Sequence, residues 1–301
     1  MSTREGTRSR SRRLDQLPVL IFLHILKAGG STLNYIVESH YSPQETYAAS
    51  PTGMHPDGNL DDYATLSEEA LSQIRLINGH LGFGLHERLP GPAVYVTFLR
   101  EPIERVISQY SSERTVPDSH VYEYLRSGEM DIEGFVRYYA EAGEMDNLQT
   151  RMISGNWHKR GFGPCTPEML ETAKRNLREH FAVVGLTSHF DASYLLLRRT
   201  FGWPFTFYHK VNVSKKRVRR EELSADALET IRDYNRFDLE LYEYACQLFQ
   251  EQVREAGFSF RLELLAFRTC NYLFQRVTPY IEFLKGWMFW RWRAGAGEPT
   301  T

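Results

Sequence analysis

The chain has 301 residues, 42% of them hydrophobic and 13% aromatic, enough to close one large core. Its formal charge of −2 lacks the basic excess of a nucleic-acid-binding protein, so no nucleic-acid partner is expected. Three scattered cysteines, Cys165, Cys246 and Cys270, fit neither a disulfide framework nor a metal cluster, so a cytoplasmic chain without a metal is expected.

Residues 1–16 carry five arginines and few apolar side chains and read as a disordered basic arm. The apolar run from Leu17 to Leu26 is too short to span a bilayer, and no small-residue cleavage site follows it closely. It reads as a buried strand over 19–24. The strand stops at His24-Ile-Leu-Lys-Ala-Gly-Gly-Ser-Thr32, a glycine turn carrying Lys27, which leads into a helix over 31–39. Such a turn aims backbone N–H groups and a helix N-terminus at one point, which suits a phosphate or sulfate group. A Walker A loop places its lysine after the last glycine; here Lys27 precedes Gly29 and Gly30.

A polar loop with Pro and Gly (42–60) and a helix (67–75) come next, followed by Ile77-Asn-Gly-His-Leu-Gly-Phe-Gly84. His80 in this segment is either a structural hydrogen-bonder or a catalytic base, since flanking glycines let the backbone approach a ligand. His86 is its nearest rival, and His24 reads as a residue that orients the first loop. Ala93-Val-Tyr-Val-Thr-Phe-Leu99 reads as a second buried strand ending in Arg100. The helix over 102–113 has Pro102 in its first turn and Ser108 two turns in. An arginine at the strand end and a hydroxyl on the helix can clamp one phosphate between them.

Together these two strand–turn–helix units resemble the paired cofactor motifs of Golgi-type carbohydrate sulfotransferases. The first is similar to that family's 5′-phosphosulfate loop, His-Ile-Pro-Lys-Thr-Gly-Gly-Thr-Thr, with Leu26 where the family has Pro and Ala28 where it has Thr. The second is similar to Arg-Asp-Pro-x-x-Arg-x-x-Ser: Arg100, Pro102, Arg105 and Ser108 match, and Glu101 replaces Asp. The resemblance implies a co-substrate, 3′-phosphoadenosine 5′-phosphosulfate (PAPS), held by Lys27, Ala28, Gly29, Gly30, Ser31 and Thr32 at its 5′ end. Arg100 and Ser108 would hold its 3′-phosphate. In the heparan sulfate 2-O-sulfotransferase branch a Gly-His pair at the place of Gly79-His80 carries the base, which implies that role for His80 beside Lys27. The acceptor implied is a hydroxyl of a carbohydrate or glycolipid. The family's usual membrane anchor has no counterpart here, which fits a soluble, bacterial-type member.

Helices are expected across 120–154, and Asp146-Asn-Leu-Gln-Thr-Arg-Met-Ile-Ser-Gly155 falls at their end. Asn147, Gln149 and Arg151 are either donors to the acceptor, as a similar stretch in the family implies, or part of a polar helix face. A helix (167–179), a third strand (182–186) and a helix (190–201) follow. Six basic residues in the eleven from Lys210 to Arg220 read as a solvated loop or as the loop over the nucleotide's 3′ side, with Ser214, Lys215 and Lys216 as contacts. Helices over 224–256 close the body.

The order implies an α/β fold: a P-loop-like parallel sheet flanked by helices, with ligands at the carboxyl ends of its strands. The expected layout is a domain over 17–260 and a helical tail over 261–301. That tail interleaves Trp287, Trp290 and Trp292 with Lys285, Arg291 and Arg293, which suits either a membrane interface or packing on the body or a second subunit. Two rivals stand beside a sulfotransferase: a nucleotide kinase using Lys27 on ATP, and a non-catalytic nucleotide-binding relative.

Overall fold

Runs of β-branched and aromatic residues make the centre of the molecule a parallel sheet. In the computed structural model, residues 18–49, 66–141, 146–157, 163–209 and 217–295 are described, with side chains as far as Thr278. The strands are β1 (Val19–Leu23), β2 (Thr46–Ala48), β3 (Leu76–Gly79), β4 (Ala93–Leu99) and β5 (Phe181–Leu186), in the order β2-β3-β1-β4-β5. All four pairings are parallel. A parallel sheet needs both faces covered, and β1, β3, β4 and β5 are accordingly almost wholly buried. The chain leaves β1 on one side and β4 on the other, so the strand order reverses around β1 and opens a crevice at its carboxyl end.

The helices are α1 (Gly30–Glu38), α2 (Glu68–Gln73), α3 (Pro102–Glu113), α4 (Tyr122–Ser127), α5 (Ile132–Glu141), α6 (Leu148–Ser154), α7 (Pro167–His180), α8 (Phe190–Phe201), α9 (Ala225–Tyr234), α10 (Arg236–Glu255) and α11 (Gly257–Gly295). Local chemistry starts them: Ser67, Glu101, Thr166 and Ser224 each accept from an N–H three residues on, and Pro102 and Pro167 sit in first turns. The main core unites the sheet with α1, α6, α7, α8 and α10. A second apolar cluster joins α3, α4 and α5 to α9 through Ile107, Leu125, Phe135 and Ile231.

Two strands differ from the sequence expectation. The segment read as polar loop contains β2, and the glycine-rich segment begins with β3. With three and four residues respectively, neither is long enough to show a period, and β3 ends in Asn78-Gly79, a pair that reads as a turn. The basic arm over 1–16 and the contacts expected of Ser214, Lys215 and Lys216 lie outside the described residues.

The first half of α11 packs on the body. Phe260, Phe267 and Asn271 are buried, Glu263 pairs with Arg198 and Arg199 of α8, and the side-chain Oδ1 of Asn271 accepts from the Tyr208 N–H. Its outer side leaves Phe258, Leu262, Leu265, Tyr272 and Leu273 more than half exposed. Among the described residues no helix is long and apolar enough to cross a membrane.

Close packing between β4 and β5 requires Gly185, where an added Cβ would lie 2.4 Å from the Phe98 ring. Gly185→Ala should therefore cost about 1–3 kcal/mol by urea denaturation. Phe98→Leu in the same chain should restore part of the loss.

Candidate active site at the carboxyl edge of the sheet

Four residues follow four of the five strands that end at this edge: His24 after β1, His80 after β3, Arg100 after β4 and Thr187 after β5. Three of them bond to carbonyls of the loop that begins with the fourth. His80 Nδ1 lies 2.7 Å from the His24 carbonyl, Arg100 donates to the Lys27 carbonyl at 2.9 Å, and the Thr187 hydroxyl donates to the Ala28 carbonyl at 2.7 Å. Thr97 Oγ1 adds a bond to the Leu23 carbonyl, and the His24 N–H donates to the Gly79 carbonyl. The carbonyls of His24, Lys27 and Ala28 are thus turned into the protein. Gly29 caps α1 in the left-handed region at φ +86°, and Lys27 adopts the same region at φ +62°, rare for a residue with a side chain. Gly30 has no room for a Cβ: one would fall 1.7 Å from His24 Nε2. The imidazole of His24 lies against the loop backbone.

A carbonyl only accepts, so the hydrogen bond to His24 puts the proton of neutral His80 on Nδ1 and leaves Nε2 with its lone pair. Burial holds the His80 pKa below its ordinary value, and Lys27 pushes the same way against the hydrogen bond to His24. The ring is therefore neutral at physiological pH. Burial, with His80 and Lys27 nearby, drops His24 to about 3. Lys27 is lowered mainly by burial; Glu113 opposes the shift and Arg100 adds to it. Arg100 falls to about 10, first through burial and then through Arg217.

The structure thus brings Lys27, Ala28, Gly29, Gly30, Ser31, Thr32, His80 and Arg100 to one edge, with Ser108 on α3 beyond Arg100. Ala28 and Thr32 are buried, Ser31 is exposed, and Ser108 is half-buried. His86 belongs elsewhere. Its backbone N–H donates to Tyr95 Oη, its Nδ1 lies 3.1 Å from the same atom, and its ring packs against His180, at the opposite, amino end of β4 and β5.

Asn147, Gln149 and Arg151 do not present donors to an acceptor. All three are buried and bonded within the protein. The Asn147 Oδ1 accepts from the N–H groups of Phe237 and Asp238, capping α10. Arg151 makes a two-bond pair with Asp146 at 2.9 and 2.7 Å. Gln149 grips the Arg100 backbone, accepting from its N–H and donating to its carbonyl, both at 3.0 Å. It fixes the angle at which Arg100 leaves the strand. Sequence reasoning also passed over Thr187 and Arg217. A hydroxyl directly after a buried strand was the available sign for Thr187, whereas Arg217 was one of six cations with nothing to distinguish it.

A sequence model described as galactose-3-O-sulfotransferase matches residues 6–277, a span that contains the whole edge just described. The chain belongs to that family. Galactose-3-O-sulfotransferase 3 of Homo sapiens is 28% identical over 199 residues, covering 60% of this chain and 44% of the human protein. Heparan sulfate 2-O-sulfotransferase hst-2 of Caenorhabditis elegans is 25% identical over 195 residues, 60% of each chain. Heparan-sulfate 6-O-sulfotransferase 1 of Homo sapiens is 25% identical over 296 residues, 81% of this chain and 69% of the relative. The chain spans less than half the length of the galactose-3-O-sulfotransferase 3 proteins it matches. The family's carbohydrate sulfotransferases are thus the relatives expected from the two motifs, with the galactose branch supplying the family match.

Neutral burial of His24 sets a pH dependence. Its folded pKa of about 3 lies below the ordinary 6.5, so on acidification the unfolded chain takes up the proton first. This contribution to stability is full above pH 6.5 and is lost as pH falls from there towards about 3. His80 acts in the same direction. Urea unfolding at about pH 7.5 and about pH 5.5 should show lower stability in acid, and His24→Gln should flatten the difference.

Proposed function

We propose that the chain transfers a sulfuryl group from PAPS to a hydroxyl of a carbohydrate. The observation that carries this reading is the pairing of a donor-lined loop with a histidine whose proton is fixed on Nδ1, both tied to the same carbonyl-turned turn. The residues fit the two ends of the nucleotide. The α1 N-terminus and Lys27 suit the phosphosulfate, and Arg100 with Ser108 suits the 3′-phosphate. A metal-dependent kinase fits less well, because the residues directly after β1, β3, β4 and β5 are His24, His80, Arg100 and Thr187, none of them a carboxylate.

In the reaction His80 Nε2 accepts the proton of the acceptor hydroxyl as its oxygen bonds to sulfur, and the bond from sulfur to the bridging phosphate oxygen breaks. Lys27 and the N–H groups opening α1 stabilise the charge that builds on the departing phosphate, a preorganised arrangement of the kind that supplies the largest catalytic contribution. Arg100, held by Gln149, positions the nucleotide. The relatives' names, galactose 3-O, heparan sulfate 2-O and 6-O, support a sugar hydroxyl as acceptor, and a galactose-terminated oligosaccharide is the first to assay.

Calorimetry should show adenosine 3′,5′-bisphosphate binding more tightly than AMP, and Arg100→Ala should remove about 1.5–3 kcal/mol of that preference. His80→Ala should lower turnover roughly 10²–10⁴-fold with bisphosphate affinity retained. Equal binding of AMP and the bisphosphate rejects the nucleotide assignment, and near-normal turnover in His80→Ala rejects the base.

The exposed stripe Phe258, Leu262, Leu265, Tyr272 on α11 supports a second element of the proposal, peripheral contact with an anionic membrane and a glycolipid among the acceptors. The inner face of the helix packs on the body, so the test alters only the outer one. Leu262→Gln, Leu265→Gln and Tyr272→Gln combined should reduce cosedimentation with anionic vesicles and leave the melting temperature and nucleotide binding unchanged. Undiminished cosedimentation rejects the contact.

A further inference from the structure

Arg100 and Arg217 approach each other beside α3, and among the described residues one carboxylate, that of Glu104, is paired with both. Arg217 Nη2 donates to the Glu104 carboxylate at Oε2 and to the Glu104 carbonyl at 3.3 Å. Arg100 Nη2 lies 3.9 Å from the same Oε2. A guanidinium is a planar fork that matches two oxygens at once. Here a single oxygen serves two forks. One contact is long, and Arg217 Nε is buried with no hydrogen-bond partner among the described residues. The carboxylate therefore leaves both arginines incompletely satisfied. On the same face of α3, one turn on from Glu104, Ser108 is half-buried and its hydroxyl bonds to none of the described residues.

This is the arrangement of an anion site filled by a substitute. A phosphate monoester brings three oxygens and a charge of about −1.5 to −2 at neutral pH, against two oxygens and one charge for the carboxylate. We propose that Glu104 occupies the 3′-phosphate subsite of the nucleotide-free protein as an internal counter-ion, and that the nucleotide's 3′-phosphate displaces it. The proposal rests on the reading of Arg100 as a 3′-phosphate ligand and adds to it Arg217 and a competitor. Glu104 can leave. Its side chain is one-third exposed, so rotation carries the carboxylate into water. The neighbouring Glu101 cannot take its place, because its Oε2 caps α3 by accepting from the Glu104 N–H at 2.8 Å.

Such a counter-ion has two effects. It relieves the repulsion between two guanidiniums in the empty protein, and it raises the threshold for entry. A ligand without a 3′-phosphate makes no contact there and leaves Glu104 in place. One with a 3′-phosphate must outcompete a tethered carboxylate, which costs affinity but lets the spent bisphosphate nucleotide leave as the carboxylate returns. Glu104 thereby sets the strength of product binding without touching the sulfuryl group.

The sign of one measurement tests this. If Glu104 competes, Glu104→Gln should bind adenosine 3′,5′-bisphosphate about three- to tenfold more tightly in calorimetry, with AMP affinity unchanged. Inorganic phosphate should also displace the bisphosphate from the variant at lower concentration than from the unaltered chain. If Glu104 instead holds the arginines ready for the ligand, the variant binds the bisphosphate more weakly, and weaker or equal binding overturns the proposal. Should Glu104→Gln melt early, Glu104→Ser is read by the same sign. The unaltered chain separates the two assignments. Indifference to the 3′-phosphate there defeats the subsite itself, whereas a clear preference with no gain in Glu104→Gln defeats only the counter-ion.

Discussion

The site depends on the orientation of one turn, and that orientation is imposed from three sides. Left to itself, a glycine turn after a strand samples many conformations, and its carbonyls would face a bound anion as readily as its N–H groups. Here the carbonyls of His24, Lys27 and Ala28 are each taken by a side chain from a different strand end: His80, Arg100 and Thr187. The parallel sheet makes this possible, because it brings β3, β4 and β5 to a stop at the same edge as β1. A left-handed lysine becomes tolerable under the same restraint, since three hydrogen bonds of about 1 kcal/mol each outweigh a strain of order 1–3 kcal/mol.

Support for Arg100 comes from farther away. Gln149 holds its backbone, and Gln149 is held in turn by α10. The Asp238 carboxylate accepts from the N–H groups of Gln149 and Thr150 at 3.1 and 2.7 Å, while Asn147 caps the helix that carries Asp238. Two helices thus cap each other, satisfying four N–H groups that would otherwise be buried without acceptors. Arg105 lies buried in this region and bonds to Gln109, which lowers the charge cost of keeping Asp238 out of water. Of the motif's two arginines, Arg100 therefore stands at the carboxyl edge of the sheet before α3, and Arg105 on α3 faces the core.

How much of this was legible varies with distance along the chain. The two strand–turn–helix units were readable because each lies within about twenty residues and combines an apolar run, a polar turn and a helix start. β2 and β3 were not, because so short a strand carries no period and is defined by its partners, Leu20 with Leu76 and Tyr47 with Ile77. Asn147, Gln149 and Arg151 could be read as donors to an acceptor or as a polar helix face for the same reason: their partners, apart from Asp146, are remote in sequence, Arg100 on one side and the start of α10 on the other. Two histidines six residues apart, His80 and His86, could be told apart only once the sheet placed them at opposite ends.

The hydrogen bond from His80 to the His24 carbonyl has a consequence for when chemistry can occur. In the proposed reaction, the tautomer that leaves Nε2 able to accept a proton is favoured while that carbonyl points at the ring, and the carbonyl belongs to the turn proposed to hold the donor. A turn that loosens or flips also removes the reason for the proton to stay on Nδ1. On that proposal, donor capture and acceptor activation are interlocked through one shared atom, so a mispositioned donor meets a histidine less poised to act.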